Sequence, residues 1–177
     1  MRRAAIAVLI VTAAFCANAT ANIPVGNPIG TISSSAIPLH STIYEGGWDL
    51  LNGTAWPPEL RYGPATYPQS AYPCNKGTVS LAGHHLTNSH PFRYIRELSV
   101  GDPIKLTTAH GSCTYHVVSV FTTTDDNTAV LIWGSKDGHQ LVLTSCDQIY
   151  DSEGKVVKLL RTIVDAAEGN PQAREQL

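Results

Sequence analysis

Two kinds of side chain in this sequence could together form a nucleophilic site. Cys146 closes the apolar run "LVLTSC" (141–146), and a cysteine attacks carbonyls as its thiolate, which needs an activating neighbour. The usual activator is an imidazole, and "LAGHH" (81–85) offers two. His84 directly follows a short alternating run that ends in small residues, so its ring can stand over a groove. His85 points to the opposite side if the extended backbone continues, because successive strand side chains alternate. His84 is therefore the expected acid–base partner and His85 the second choice.

A free thiol is unusual in the compartment that the N-terminus implies. "MRR" is a basic start, residues 4–17 are almost wholly apolar, and "ATA" at 19–21 has the small-x-small form of a cleavage site. The apolar stretch is shorter than the roughly 18–20 residues of a spanning helix. Residues 1–21 thus read as a signal peptide, with an N-terminal membrane segment as the alternative, and the rest of the chain as extracytoplasmic. Exported cysteines usually end in disulfides. With Cys16 inside the signal, Cys74, Cys113 and Cys146 remain. A Cys74–Cys113 bridge would leave Cys146 free, although the sequence alone allows any of the three to be the odd one out.

Positioning these groups falls to many short elements. Residues 22–29 carry two prolines and a glycine and read as a linker. "GTISSSAIPLHSTIYEGG" (30–47) suits two strand pieces around Pro38. The proline-rich stretch 56–73 reads as a loop packed through its aromatics, with Trp48, Trp56 and Tyr62 at its borders. "GTVSLAG" (77–83), "PIKLTT" (103–108), "CTYHVVSVFTT" (113–123), "TAVLIWG" (128–134) and "QLVLTSC" (140–146) read as strands, the last stopping at the cysteine. "PFRYIREL" (91–98) reads as a one- or two-turn helix that starts at Pro91. Residues 154–169 are ambiguous: their apolar spacing fits a helix face, whereas Val156, Val157, Thr162, Ile163 and Val164 are β-branched. The whole describes a single all-β domain, a barrel or a sandwich.

Bulk properties narrow the function. A net charge of -2 with 15% charged residues and no basic run gives no footprint for nucleic acid. His84, His85 and His90 lack the acidic or thiolate company of a zinc site. Asp125 and Asp126 alone read as a solvated turn rather than a calcium site, so no metal and no cofactor is expected.

Taken together, "GTISSSAIPLHSTIYEGG", "GTVSLAGHH", a following Phe and Leu before "GDPIKL", "CTYHVVSV" and "LVLTSC" with an arginine downstream resemble the sortases, cysteine transpeptidases of Gram-positive cell surfaces. The similarity runs from about residue 29 to 165. It implies a closed eight-stranded β-barrel over 30–165 with one or two short helices, followed by a polar tail at 166–177. It also implies His84 and Cys146 as catalytic residues on neighbouring strands, with Arg161 on the strand after the cysteine, which favours strand over helix at 154–169. The partners it implies are exported proteins with a C-terminal sorting signal, and an amine acceptor on a cell-wall peptide or a pilin. Val142 and Ser145 stand where the family's motif usually has threonines. These two departures leave a non-catalytic, peptide-binding barrel as the alternative function.

Overall fold

The computed structural model describes residues 23–47, 58–124 and 138–169. Within them, eight strands close into one barrel in the order β1-β2-β3-β4-β7-β8-β6-β5. The strands are β1 (Pro28–Ser34), β2 (Leu39–Tyr44), β3 (Ala65–Thr66), β4 (Gly77–Gly83), β5 (Pro103–Thr108), β6 (Gly111–Thr123), β7 (His139–Tyr150) and β8 (Val156–Glu168). Strand pairing thus reaches slightly beyond the 30–165 span read from the sequence. Alternation decides what fills the barrel. Ile104 and Leu106 of β5 point in while Lys105 and Thr107 point out. Val79, Leu81, Leu141, Leu143, Val164 and Ala166 join them in the main core.

β4 and β7 run parallel, from Gly77 beside His139 to Gly83 beside Ser145. A parallel pair needs a crossover, and the chain between them supplies β5 and β6 on the far side of the barrel. β4 is buried along its whole length. Its inward residues meet the main core, and the outward Ala82 packs with Leu60, Ala65 and Tyr67. These three come from the proline-rich loop, which includes a 3-10 turn at Pro58–Arg61. The loop does pack through an aromatic, Tyr67, but Tyr62 is 66% exposed. Trp48, Trp56, Asp125, Asp126 and the strand expected at 128–134 lie outside the described residues. The two-residue β3 was hidden in that loop, because two residues between prolines carry no period.

Two elements differ from the sequence reading, and a third, left ambiguous by its spacing, is the strand that the family resemblance implied. β7 does not stop at Cys146; it continues to Tyr150, paired with β8 as a hairpin. The polar "DQ" after the cysteine looked like a loop, yet ladder hydrogen bonds between paired strands use only backbone groups. Within 154–169, Val156–Glu168 is strand, paired to β7 on one edge and β6 on the other, so two-sided pairing overrides the helical period. The helix expected at 91–98 shrinks to a 3-10 turn, Ile95–Glu97. Phe92, Ile95 and Leu98 are all buried in the main core, and their spacing of three is the 3-10 period.

Cys74 and Cys113 form a disulfide with a sequence separation of 39, tying the segment before β4 to β6. Closing a loop of that size removes enough unfolded-chain entropy to stabilise the fold by about 4 kcal/mol. The double variant Cys74→Ala/Cys113→Ala is expected to lose roughly 2–4 kcal/mol in urea unfolding while keeping its far-UV spectrum.

Candidate active site

The outward face of β4, β7 and β8 forms a lattice of side chains in register. Ala82 lies beside Thr144 and Thr144 beside Ile163. Two residues further along β7, Cys146 lies beside Arg161. The last pair of β4 and β7 is Gly83 with Ser145, so His84 is the next residue along from Gly83 as Cys146 is from Ser145. Neighbouring strands lie about 4.8 Å apart. The alternation that sends Thr144 outward sends Cys146 to the same side. One row across β7 and β8 therefore holds Cys146 and Arg161, and His84 directly follows the end of β4 beside it.

Cys146 is in no disulfide, and it is half-buried. Arg161 donates a hydrogen bond from Nη1 to its Sγ at 2.8 Å. A guanidinium is permanently cationic and offers five donors in a planar fork, which suits it to a negatively charged sulfur or oxygen. Both members of this pair sit on rigid paired strands, which fixes them more tightly than loops would. Without the continuation of β7 past Cys146 the pair would not exist.

His84 stands at the end of β4, half-buried, and burial pushes its imidazole below the ordinary value of 6.5 because the charged ring is desolvated. The sign follows from linkage. The unfolded chain takes up the proton at a higher pH than the folded one. Stability from the neutral ring is therefore complete above about pH 6.5 and is lost as pH falls through the folded value. An NMR titration of the His84 ring is expected to give a midpoint below 6.5, with stability declining over the same window; a midpoint above 6.5 contradicts a desolvated ring.

Several supporting contacts carry no sequence signal. Ser145, 1% exposed, donates from Oγ to the carbonyl oxygen of Gly83 at 2.9 Å. A Cβ on Gly83 would come within 2.5 Å of the Phe92 ring, so only glycine lets that ring pack there. The Phe92 N–H donates to the His84 carbonyl oxygen at 3.1 Å. Asp147 accepts a 3.2 Å hydrogen bond from Thr162 Oγ1 and lies 3.7 Å from the Arg96 guanidinium, linking the turn at Ile95–Glu97 to β7. The other departure from the expected motif, Val142, is buried at 1% exposure. Its place on the outward face beside Ser80 and Asp165 is two residues short of Thr144. Among the described residues no group of three or more His, Cys, Asp or Glu side chains is arranged to hold a metal ion.

The family model "Sortase domain" matches residues 32–168. Sortase D of Bacillus subtilis is 32% identical over 88 residues, which are 50% of this chain and 42% of that protein. Sortase SrtE1 of Streptomyces coelicolor is 33% identical over 88 residues, 46% of this chain and 25% of that protein. The matched stretch thus spans less than half of either relative. Among solved structures, a Clostridium perfringens Sortase D5 transpeptidase superposes with a TM-score of 0.65 at 29% identity, over 84% of this chain and 82% of that one. Sortase E from Streptomyces avermitilis gives 0.66 at 22% identity, over 84% and 91%, a likeness of fold.

Proposed function

Because the chain belongs to the sortase family, we propose that it is an extracytoplasmic cysteine transpeptidase acting through Cys146, His84 and Arg161. The observation that supports this reading is the 2.8 Å hydrogen bond that Arg161 donates to the Cys146 sulfur, which is in no disulfide. The substrate is the C-terminal sorting peptide of an exported protein, and the acceptor is an amine of a cell-wall peptide or a pilin lysine. Residues 1–21 serve as the export signal or membrane segment and 22–27 as a linker to β1, which takes up Pro28 and Ile29 of the stretch read as linker.

The reaction needs two displacements. Cys146 Sγ attacks a backbone carbonyl carbon, and the carbonyl π electrons move to oxygen. Arg161, already at the sulfur, presents a cationic, multidentate guanidinium to that oxyanion. As the tetrahedral intermediate collapses, the C–N bond breaks, the departing nitrogen takes the proton from the His84 imidazolium, and a thioester remains. The incoming amine then attacks the thioester carbon and gives a proton back to His84. The C–S bond breaks, which regenerates thiolate and imidazolium. Burial keeps much of His84 neutral at pH 7, so the competent ion pair is the minor form of the resting protein.

The reading is tested by incubating the protein with a randomised pentapeptide library and hydroxylamine as amine. Hydroxamate products that need both protein and peptide are expected. Their absence, with peptides left intact, would remove the transpeptidase reading and favour a barrel that only binds.

A further inference from the structure

His84 is the first residue past the last β4–β7 pair, so the ladder between those strands does not by itself fix the direction in which its side chain leaves the backbone. The carbonyl of Gly83 and the N–H of His84 belong to one planar peptide unit. That carbonyl accepts the 2.9 Å hydrogen bond from Ser145 Oγ. The Phe92 ring occupies the space a Gly83 side chain would need, and the Phe92 N–H holds the His84 carbonyl, which belongs to the next peptide unit. The two peptide planes that flank the His84 Cα are thus each held, one from β7 and one from Phe92. Ser145 is the neighbour of Cys146 in sequence but points to the inside of the barrel, in the same row as Thr162.

From this geometry we infer that Ser145 is a positioning residue: its buried hydroxyl orients the Gly83–His84 peptide so that the imidazole stands over Cys146. The inference rests on the transpeptidase reading of His84 and Cys146. It also gives a role to the residue that departs from the family's motif, since serine supplies the same donor as threonine without the methyl. The hydroxyl has little freedom to serve otherwise. It is buried at 1% exposure and faces away from the row of reacting groups.

Ser145→Thr and Ser145→Val form an isosteric pair that differs in the hydroxyl, and Ser145→Ala removes it without adding volume. With the best-used member of the pentapeptide library and hydroxylamine, Ser145→Ala and Ser145→Val are expected to lower kcat about tenfold with KM within about twofold, and Ser145→Thr to stay within about threefold of the parent. The His84 ring gives a second readout that does not depend on turnover. Its NMR midpoint should move up toward the ordinary value in Ser145→Ala and Ser145→Val and remain low in Ser145→Thr. The titratable and charged groups on the neighbouring strands, Cys146 on β7 and Arg161 on β8, and His85 beside it are kept in all three variants, so the shift reports the ring's placement. Equal kcat and equal midpoints in the Thr and Val variants overturn the inference, even if the alanine variant fails to fold. A parent protein that turns over no peptide sinks the transpeptidase reading instead, and the His84 midpoints still decide whether Ser145 places the ring.

Discussion

Replacing Cys146 by alanine leaves a folded barrel that forms no thioester and transfers no peptide, with activity lower by about ten-thousand-fold or more. The size of the loss follows from the route. Without the sulfur there is no covalent intermediate, and neither Arg161 nor His84 can substitute for the attacking atom. The fold should survive because the cysteine is half-buried and unbridged, outside the main core, and because its strand stays paired from Gln140 with Ala167 through Asp147 with Leu160. Thermal melting within a few degrees of the parent, together with loss of product in the peptide and hydroxylamine assay, checks both halves. Undiminished turnover in the alanine variant takes Cys146 out of the chemistry.

Arg161 has the next largest expected effect. Removing one donor from an oxyanion site typically costs about 100- to 1000-fold in kcat, and Arg161→Ala should fall in that range. The residue also donates a hydrogen bond to the Cys146 sulfur, so its loss should slow alkylation of Cys146 by iodoacetamide near neutral pH. Lysine restores the charge but not the planar fork that can reach sulfur and oxygen together. Arg161→Lys is therefore expected to recover alkylation more fully than peptide transfer. Equal recovery of the two would mean that the guanidinium acts only as a charge on the sulfur.

Much of the barrel was legible because local chemistry and tertiary pairing agree. β4 and β5 keep the bounds that their flanking glycine, proline and turn residues set. Where the two disagreed, pairing won. β8 carries apolar residues at helical spacing, and the ladders to β6 and β7 hold it extended. β7 carries polar residues past Cys146 and remains a strand for the same reason. That extension matters for the site, since the residue opposite Cys146 is Arg161 only if β7 continues through the thiol.

The proposed site was drawn from residue types, and its support structure was not legible at all. His84 and Cys146 were singled out at expected strand ends, which β4 has beside His84 and β7 does not have at Cys146, and Arg161 came from the family resemblance. Nothing in the spacing announced that Ser145 would bond Gly83, or that Phe92 would take the space left by a missing Cβ. Such contacts join positions far apart in the chain through a close approach of backbones, and no periodicity encodes them. The disulfide was open among three pairings until the fold put Cys74 and Cys113 5.5 Å apart at Cα and left Cys146 on another strand.

The central claim is that Cys146 carries the acyl group between donor peptide and amine. Intact-protein mass spectrometry after mixing with the peptide library, without amine and quenched in acid, tests it most directly. The account predicts an added acyl mass that proteolytic mapping places on Cys146, that hydroxylamine removes, and that Cys146→Ala does not form. An acyl mass on any other residue, or peptide cleaved by the alanine variant at the parent's rate, contradicts it.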